Sequence, residues 1–503
     1  MLTSYVKKIL QAKVYDVAQE SNLDFTPTLS KRLNNRILVK REDSQQVFSF
    51  KIRGAYNKMA NLPPEILARG VITASAGNHA QGVALSANYL NIDALIVMPK
   101  TTPEIKVDAV RNWGAKILLH GNSYDDAGIY AKKLAVERGL AFIHPYDDPD
   151  VIAGQGTIGM EILHQHSNNI DAIFVPVGGG GLIAGIAAYV KYIRPGIKII
   201  GVEPDDAGCL HAALQAGERV ILDQVGIFAD GVAVRQIGKA PFELAKEYVD
   251  EVILVNTDEI CAAIKDIFEA TRVVMEPAGA LALAGLKSYI HRTAAKGQTF
   301  ITIASGANMN FDRLQHIAER TEVSEQREAL MAVTIPEQSG SFRDFCHTLG
   351  LRTLTEFNYR YSHNEKAQIF VGVRLDGGDE KQKLQQKLTD HQYSFTDLSD
   401  NEIAKTHVRH MVGGHSSCML NERIYRIEFP ERPGALLYFL TELGDRWNIS
   451  LFHYRNHGAA FGRILMGIQI LDEALPLFYA TLDHLGYAYW NEDDNPAYRL
   501  FLN

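Results

Sequence analysis

Short apolar runs alternate with helix-length amphipathic stretches through the first three hundred residues. The runs that predict buried strands cover residues 71–73, 94–98, 116–119, 173–177, 198–202 and 300–304. Helical patterns fill the intervals, as at 103–113 and 124–138. This alternation predicts an α/β architecture of parallel sheets covered by helices on both faces. Ligands of such sheets bind where strands end, so functional residues are expected in the loops that follow the strands.

The end of the chain shows a different pattern, an internal repeat. Segments beginning at Ile335-Pro336-Glu337 and Phe357-Asn358-Tyr359 recur at Phe429-Pro430-Glu431 and Phe452-His453-Tyr454, and Gly372 recurs as Gly467, a spacing of about 94 to 95 residues. Each copy has the order strand, Pro/Gly turn, helix, strand, strand and helical stretch. That order predicts two α+β ferredoxin-like βαββαβ units. The charged stretch 319–328 before them predicts a helical connector or a domain boundary.

Composition excludes several functional classes. The chain of 503 residues is 46% apolar and 22% charged, which suits roughly two to four globular domains. A net charge of −8, without a dense basic patch, argues against nucleic-acid binding. No run of eighteen apolar residues predicts a membrane span, and the N-terminus lacks signal-peptide features. Four scattered cysteines favour reduced thiols and a cytoplasmic location, and no metal-ligand spacing is present.

The strongest single motif is the run of four glycines Gly178-Gly179-Gly180-Gly181 between a predicted strand and a helix. Such a loop carries a large entropic cost, which a backbone-lined anion site explains. Two ligands fit it. Gly179, Gly181 and Ala184 match G-x-G-x-x-A, with Glu203 about twenty residues on, as in a dinucleotide site. A lone phosphate fits equally well.

Three other loops favour a phosphate-bearing aldehyde cofactor. Lys51 lies in a mostly uncharged stretch, where a shielded amine loses its proton more easily and can form a Schiff base. The turn Ser75-Ala76-Gly77-Asn78 leaves backbone N–H groups free for a carboxylate or a phosphate, and Ser305 offers a neutral hydroxyl at a strand end. A pyridoxal-phosphate enzyme needs such a lysine, an anion cradle and ring partners, whereas a nicotinamide enzyme needs no isolated lysine.

These motifs together resemble the serine/threonine dehydratases, enzymes of the tryptophan-synthase-β-like fold, which is fold type II among pyridoxal-phosphate enzymes. The matching segments are 49–55, 75–82, 178–181 and 305–308, joined by Lys40-Arg41-Glu42-Asp43, Ala153-Gly154-Gln155-Gly156-Thr157, Gly201-Val202-Glu203-Pro204 and Glu276-Pro277-Ala278-Gly279-Ala280. The resemblance covers about residues 5 to 315 and implies pyridoxal 5′-phosphate as the cofactor. Relatives that bind a divalent cation carry acidic residues after the Glu-Pro turn. The later acidic position is displaced or lacking here, so no metal is expected.

The resemblance also implies a role for each site residue. Lys51 would be the catalytic Schiff-base lysine, and Phe50 would pack beside the cofactor ring. The implied cofactor contacts are Asn78 at the ring hydroxyl, Gly178, Gly179, Gly180 and Gly181 at the phosphate, and Ser305 at the pyridine nitrogen. The implied substrate-carboxylate loop is Ser75, Ala76, Gly77 and Asn78. The implied reaction is the β-elimination of water from L-threonine, which yields 2-oxobutanoate and ammonia.

The C-terminal repeats resemble the ACT-like amino-acid-binding modules of allosteric enzymes. A dehydratase followed by two such units is similar to the biosynthetic branch of its family, which implies the first step of isoleucine biosynthesis. It also implies inhibition by isoleucine, activation by valine and a homotetramer. Tyr359 and Tyr454 occupy equivalent repeat positions and are the candidate effector contacts, although two aromatic residues of the core would give the same pattern.

The expected organisation is a catalytic domain at 1–320, a linker at 321–328 and regulatory units at 329–410 and 421–503. Three alternatives remain open from the sequence. A serine-preferring dehydratase or a β-replacement enzyme would share the same site, because one substrate methyl group is worth only ~1–3 kcal/mol. The third alternative is a non-catalytic amino-acid sensor, which the intact lysine, phosphate loop and Ser305 disfavour.

Overall fold

A computed structural model of the protein describes residues 2–100, 102, 104–121, 124–226, 228–311, 313–324, 328–338, 340–360, 366–375, 378–401, 404, 408, 421–430, 435–444, 446–455 and 461–495. The chain divides into two compact units, Met1–Ala318 and Glu319–Asn503. Some sequence expectations lie outside the described residues: position 103 of the first predicted helix, positions 325–327 of the linker, the boundary at 410 and positions 431–434 of the second repeat.

The first unit contains ten strands and thirteen complete helices among the described residues. The strands are β1 (Leu23–Phe25), β2 (Arg36–Arg41), β3 (Val71–Ala74), β4 (Ala94–Met98), β5 (Lys116–Leu119), β6 (Ala141–Phe142), β7 (Ala172–Pro176), β8 (Lys198–Pro204), β9 (Glu251–Val255) and β10 (Thr299–Ala304). The helices are α1 (Leu2–Leu10), α2 (Pro27–Arg32), α3 (Lys51–Ala60), α4 (Pro64–Leu67), α5 (Asn78–Leu90), α6 (Glu104–Arg111), α7 (Tyr124–Arg138), α8 (Pro149–Gln165), α9 (Gly181–Ile193), α10 (Cys209–Ala216), α11 (Lys239–Tyr248), α12 (Thr257–Thr271) and α13 (Pro277–Thr293).

Two sheets organise this unit. The larger has the order β1-β2-β10-β7-β8-β9 and is parallel except for the antiparallel edge pair β1–β2, and the smaller has the order β5-β4-β3-β6 and is wholly parallel. All six strands predicted from apolar runs are present, which confirms the α/β architecture. The pattern does not predict β1 and β6 because they are only 3 and 2 residues long. It does not predict β2 because charged residues limit its apolar run to three positions, and the prediction also missed β9.

A buried network of charges fixes the start of α3. The Arg53 guanidinium, 0% exposed, contacts Glu42 at 2.8 Å and Glu161 at 2.5 Å. Lys40, also 0% exposed, contacts Glu161 at 2.6 Å and donates to the Ser21 carbonyl at 2.6 Å. Buried charges are tolerated only when they are paired and hydrogen-bonded. This network therefore clamps α3 to β2 and α8.

The pKa values in this network follow from the pairing. Burial alone would raise the pKa of the Glu42 carboxyl, but the Arg53 guanidinium and the Lys40 ammonium together hold it below its ordinary value. Burial lowers the pKa of Lys40, against the opposing charge of Glu161. A glycine completes the junction, because a Cβ on Gly154 of α8 would lie 2.6 Å from the Arg53 carbonyl oxygen. Helix α8 can approach α3 this closely only without a side chain there.

A single helix, α14 (Arg313–Ser324), contains the boundary between the two units. The second unit then begins with β11 (Glu328–Pro336), α15 (Ser341–Leu349), β12 (Leu354–Arg360), β13 (Lys366–Arg374), α16 (Gly378–Asp390) and β14 (Ser394–Asp397). The second repeat follows as β15 (Glu422–Pro430), α17 (Ala435–Leu443), β16 (Asn448–Arg455), β17 (Phe461–Gln469), α18 (Leu475–Leu485) and β18 (Ala488–Asn491). Both repeats thus have the predicted βαββαβ order.

The two repeats share one eight-stranded sheet of order β14-β11-β13-β12-β16-β17-β15-β18. The join is the antiparallel pair β12–β16, in which Asn358 lies opposite His453. Each repeat has a bulge built in the same way. In the first, the Thr355 hydroxyl donates to Glu328, and a Cβ on Gly372 would lie 2.2 Å from that hydroxyl oxygen. The equivalent residues of the second repeat are Ser450, Glu422 and Gly467.

Within the described residues, Cys209, Cys261 and Cys346 are buried and form no disulfide, whereas Cys418 lies outside that part of the chain. No described helix combines the length and the apolar character needed to cross a membrane.

Replacing Arg53 by Met should destabilise the first unit by roughly 3–5 kcal/mol, because Glu42 and Glu161 would remain buried without their cation. Urea unfolding followed by fluorescence measures the change. Arg111→Gln is the matched control, since Arg111 pairs with Asp108 on the surface at more than half exposure and should cost at most about 1 kcal/mol. Equal unfolding midpoints for the two variants would contradict the role given to the network.

Candidate active site

Lys51 is the first residue of α3, and its side chain reaches the backbone of the loop before α8. Its Nζ donates to the Pro145 carbonyl at 3.1 Å and lies 5.2 Å from the centre of the Phe50 ring. Lys51 precedes Arg53 by two residues, so the buried network around Arg53 also fixes the backbone of Lys51. Gly82 of α5 packs on the same turn, and a Cβ there would lie 3.2 Å from the Lys51 carbonyl oxygen.

The loop before Lys51 is paired with the loop after β10. Ser49 and Gly306 form an antiparallel bridge, the Phe50 N–H donates to the Ser305 carbonyl at 3.2 Å, and the Ala307 N–H donates to the Phe48 carbonyl at 2.9 Å. Phe48 has a φ of +53°, a left-handed conformation that is uncommon outside glycine. The pairing holds this conformation. The sequence-predicted residues Phe50, Lys51 and Ser305 therefore lie together.

Asn78 begins α5 and joins this cluster through two hydrogen bonds. Its Nδ2 donates to Glu276 Oε1 at 2.5 Å, and its Oδ1 accepts from Asn308 Nδ2 at 2.6 Å. Glu276 precedes α13, and its backbone N–H donates to the Gly306 carbonyl at 3.2 Å. Asn78 is thus connected to the Ser305 loop from both sides.

The hydroxyl of Ser305 lies at the end of β10 and is 3% exposed. Its Oγ donates to the Ala278 carbonyl at 3.3 Å, in the first turn of α13. Gly279 allows this approach, because a Cβ there would lie 2.1 Å from the Gly306 carbonyl oxygen. Ser305 therefore presents a neutral, positioned hydroxyl rather than a carboxylate at this point of the site.

The four glycines form the turn from β7 into α9. Gly180 has a φ of +88°, and a Cβ on Gly179 would lie 2.1 Å from the ring of Tyr146. Among the described residues, none accepts a hydrogen bond from the N–H groups of Gly178 to Gly181. With the N-terminus of a thirteen-residue helix behind them, these free donors form an anion cradle.

Glu203 decides between the two interpretations of the glycine loop. Its carboxylate accepts from the N–H groups of Leu210 and His211, at 2.8 Å each, in the first turn of α10. Burial raises the pKa of this carboxyl to about 7, against those N–H donors. A dinucleotide site would need this acid for a ribose hydroxyl. Since both oxygens are engaged, the geometry favours a lone phosphate.

The turn Ser75–Gly77 lies between β3 and α5, beside Asn78. The Gly77 N–H donates to Ser75 Oγ at 3.3 Å, and the Ser75 N–H donates to the Val97 carbonyl at 3.2 Å. Within the described part of the chain, the N–H groups of Ala76 and Asn78 donate to no acceptor. Two free donors at the start of a thirteen-residue helix suit a carboxylate.

Electrostatics make the Lys51 amine unusual. Burial lowers the pKa of Lys51 to about 8, and the smaller effect of the Glu276 carboxylate opposes this. Burial, followed by the charge of Asp230, raises the pKa of Glu276 to about 7, while the Asn78 N–H opposes the shift. The neutral amine is therefore accessible near neutral pH, as a nucleophile or base requires.

The comparisons with known proteins agree along the whole chain. The family described as pyridoxal-phosphate dependent enzyme matches residues 19–306, and the C-terminal regulatory domain of threonine dehydratase matches twice, at 319–408 and 413–502. The biosynthetic L-threonine dehydratase of Burkholderia multivorans is 56% identical over 99% of both chains. That of Escherichia coli is 54% identical over 99% of this chain and 97% of its own. The chain belongs to the biosynthetic threonine dehydratase family.

A solved structure supports the catalytic part of this assignment. The processed form of threonine deaminase isoform 2 from Solanum lycopersicum is 51% identical, with a TM-score of 0.63, over 64% of this chain and 88% of its own. The predicted fold type II catalytic domain, followed by regulatory repeats, is therefore confirmed. Within the described residues, no cluster of three or more His, Cys, Asp or Glu side chains is placed to hold a metal ion.

Threonine dehydratases of this family use pyridoxal 5′-phosphate, and the described residues fit that group. The free N–H groups of the glycine loop suit its phosphate. Side chains at Gly179 or Gly180 would strike Tyr146 or Ile237, so the cradle accepts only glycine. The Lys51 amine, with its lowered pKa, suits the aldehyde.

Sequence reasoning missed several residues of this dehydratase site. Glu276 lies within a matching motif that implies no role for it, and its partner Asn78 is 198 positions away. Pro145 contributes a backbone carbonyl, which no side-chain pattern reveals. His79 is 3% exposed, its Nε2 bonds the Ile143 carbonyl at 3.0 Å, and burial, followed by the charge of Lys51, lowers its pKa to about 3. The motif Asn78-His79 was the only available signal for it.

The two predicted effector tyrosines are both buried but differ in their partners. The Tyr359 hydroxyl donates to the Glu337 carboxylate, and its ring lines a cleft between the repeats. The Tyr454 hydroxyl donates to the Leu354 carbonyl at 3.2 Å. The two tyrosines are not directly opposite each other in the β12–β16 pair. Tyr359 lies opposite Phe452, and Tyr454 lies opposite Phe357.

The pKa of Lys51 predicts how the cofactor-free protein takes up pyridoxal phosphate. The rate should rise with pH up to about 8 and then level off, because the amine is neutral above its pKa. An ordinary lysine would continue to gain reactivity to about pH 10.4. Stopped-flow absorbance after mixing with pyridoxal phosphate measures the profile. Glu276→Gln should move the midpoint to lower pH, since the Glu276 charge raises the lysine pKa, and an upward shift would contradict this account.

Proposed function

We propose that this protein deaminates L-threonine to 2-oxobutanoate and ammonia, the first step of isoleucine biosynthesis. The observation that carries the proposal is the Lys51 amine, which has a lowered pKa and lies on a loop paired with the Ser305 loop. The relatives at 54–56% identity over almost the full chain are biosynthetic L-threonine dehydratases by name. The Lys51 site, in a chain this similar to threonine dehydratases, supports the elimination of a β-hydroxyl group from the substrate.

The proposed cofactor contacts are those that the family resemblance implies. Lys51 would hold the aldehyde, the N–H groups of Gly178 to Gly181 the phosphate, Asn78 the ring hydroxyl and Ser305 the ring nitrogen, with Phe50 beside the ring. When bound, pyridoxal phosphate supplies an electron sink for the carbon that loses its proton. The neutral hydroxyl of Ser305 does not force a proton onto the ring nitrogen as a carboxylate would. That arrangement favours elimination over transamination.

The chain's own groups then bind the substrate and move its protons. The turn of Ser75, Ala76, Gly77 and Asn78 is proposed to hold the threonine carboxylate at the N-terminus of α5, through the N–H groups of Ala76 and Asn78, which donate to no acceptor among the described residues. Lys51 in its neutral form is the proposed base for the proton on the α-carbon, since its pKa of about 8 lies near the working pH.

Lys51→Ala should abolish both the visible absorbance of the bound cofactor and the formation of 2-oxobutanoate from L-threonine. Absorbance spectra and a coupled assay for the 2-oxo acid measure the two effects. Lys58→Ala is the matched control, because Lys58 lies on the same helix and pairs with Asp148 at the surface side. It should retain both signals. Normal absorbance in Lys51→Ala would overturn the assignment of this lysine.

The alternatives differ in what that assay detects. A serine-preferring dehydratase would form pyruvate from L-serine faster than 2-oxobutanoate from L-threonine at equal concentrations. A β-replacement enzyme would need an added nucleophile. An amino-acid sensor without activity would form neither product. The paired regulatory repeats favour threonine, since the matching regulatory family is that of threonine dehydratase.

We propose the cleft between the repeats as an effector site for isoleucine, with valine as the opposing activator. Its walls are formed by β11 and the following turn of the first repeat and by α17 and β16 of the second. Glu337 and Arg343 supply opposite charges for the two ends of an amino acid, while Phe342, Leu443 and Trp447 supply apolar surface. A branched aliphatic amino acid matches both features.

Tyr359→Phe should weaken inhibition by isoleucine about tenfold, because the variant loses the hydroxyl that orients Glu337 at the cleft. Inhibition curves at a fixed threonine concentration measure the change. Tyr454→Phe is the repeat-equivalent comparison, since its hydroxyl donates to the Leu354 backbone carbonyl. Unchanged inhibition in both variants would remove the tyrosines from the site.

The remaining proposals concern organisation. We propose a catalytic domain at 1–320, a linker at 321–328 and regulatory units at 329–410 and 421–503. The helix α14 ends at Ser324 within this linker, and β11 begins at Glu328. A homotetramer and a cytoplasmic location complete the proposal, and size-exclusion chromatography with light scattering tests the first of these.

A further inference from the structure

The short turn Asp230–Val232 forms part of the wall of the candidate active site. A Cβ on Gly231 would lie 2.9 Å from the Ala278 Cβ, 3.7 Å from Glu276 Oε1 and 3.9 Å from Asn78 Nδ2. The turn therefore packs against the carboxylate and the amide that connect the Asn78 and Ser305 loops. We refer to Asp230–Val232 as the site turn.

The site turn also touches the glycine loop. A Cβ on Gly178 would lie 2.9 Å from the Val232 Cα and 3.2 Å from its carbonyl oxygen. One three-residue element thus lies against the anion cradle on one side and against Glu276 on the other. Packed interiors do not deform continuously. A shift of the site turn would therefore change the shape of the site at both places.

Two cations hold the site turn from outside. Lys106 of α6, next to the smaller sheet, contacts Asp230 Oδ2 at 2.5 Å. Arg313 donates from Nη1 to the Phe228 carbonyl at 2.9 Å and lies 3.7 Å from Asp230 Oδ1. Arg313 thereby contacts both the Phe228 carbonyl, just before the site turn, and the Asp230 carboxylate at its start.

Arg313 is also the first residue of α14, the helix that contains the boundary between Ala318 and Glu319. At 1.5 Å per residue, the helix runs roughly 16 Å from Arg313 to Ser324. A helix moves as a rigid element, so a rotation or shift imposed at its far end displaces the guanidinium at its near end. The residue that holds the site turn is therefore directly attached to the connector into the regulatory unit.

We propose that effector binding in the regulatory unit changes the active site through Arg313, which acts as a positioning residue on the site turn. The proposal rests on the proposed function, since it specifies how that regulation reaches the site. The Asp230 carboxylate is the group of the site turn that Arg313 contacts, and Lys106 pairs with the same carboxylate. A displaced Arg313 would release the Phe228 carbonyl and leave Asp230 to Lys106 alone. The site turn would then follow the smaller sheet rather than the connector helix.

Arg313→Gln tests the route in the full-length protein with its cofactor. Effector coupling is measured as the ratio of kcat/KM for L-threonine without and with saturating isoleucine, and calorimetry gives the affinity for isoleucine. The variant should bind isoleucine within about twofold of the wild type, yet its coupling ratio should fall at least fivefold, the lower range of ordinary allosteric couplings. Arg313→Lys should restore part of the ratio, because it keeps a cation beside Asp230.

Arg292→Gln is the matched control. Arg292 pairs with Glu251 on the surface, at the opposite end of α13 from Glu276, and its loss should leave the coupling ratio unchanged. If Arg313→Gln does not fold, Asp230→Asn is the second variant, since it removes the charge that receives Arg313 while keeping the side chain's size. That variant should also lower the ratio at least fivefold.

Each result bears on a definite claim. A wild-type ratio in Arg313→Gln, or in Asp230→Asn where that variant is used, overturns the route while leaving the proposed function intact. A loss of isoleucine binding in Arg313→Gln also overturns it, since the residue would then support the effector site itself. A wild-type enzyme that converts threonine but ignores isoleucine overturns the regulation and the route together. A wild-type enzyme without turnover overturns the proposed function.

Discussion

The buried pairing of Arg53 with Glu42 and Glu161 is the interaction on which the active site depends. Three charges at essentially zero exposure cannot be separated without leaving one of them uncompensated. The network joins β2, α3 and α8, and Lys51 lies two residues before Arg53. The reactive amine can therefore sit in a desolvated position, with a lowered pKa, because the helix start that bears it is fixed by charges elsewhere.

The other site loops are fixed by backbone pairing rather than by charge. The bridge between Ser49 and Gly306 and the hydrogen bonds around it attach the lysine loop to the end of β10. Glu276 then attaches that loop to Asn78. Each of these contacts joins segments from different sheets or helices. The site is thus assembled from the ends of strands in both sheets, as doubly wound folds allow.

Much of this arrangement was predictable from the sequence, and the exceptions have physical reasons. The strands that precede Gly178 and Ser305 are mostly apolar runs, so their ends and the loops after them could be located. Strand β2 carries Lys40 into the interior, and no apolar pattern reveals a charge that is buried because it is paired. The contact of Glu276 with Asn78, and the Pro145 carbonyl at Lys51, depend on folding over long separations or on backbone atoms. Family resemblance supplied the roles of residues, whereas geometry was needed for their partners.

The shared sheet of the two repeats has a consequence for how regulation can evolve. Two separate regulatory chains that paired through β12 and β16 would have identical clefts by symmetry, and their pairing would depend on concentration. Here both copies belong to one chain, so pairing is intramolecular and each copy can change alone. The tyrosines already show such divergence, one bonded to a carboxylate and the other to a backbone carbonyl. Two copies of a module that share one sheet in this way can diverge until each binds a different metabolite.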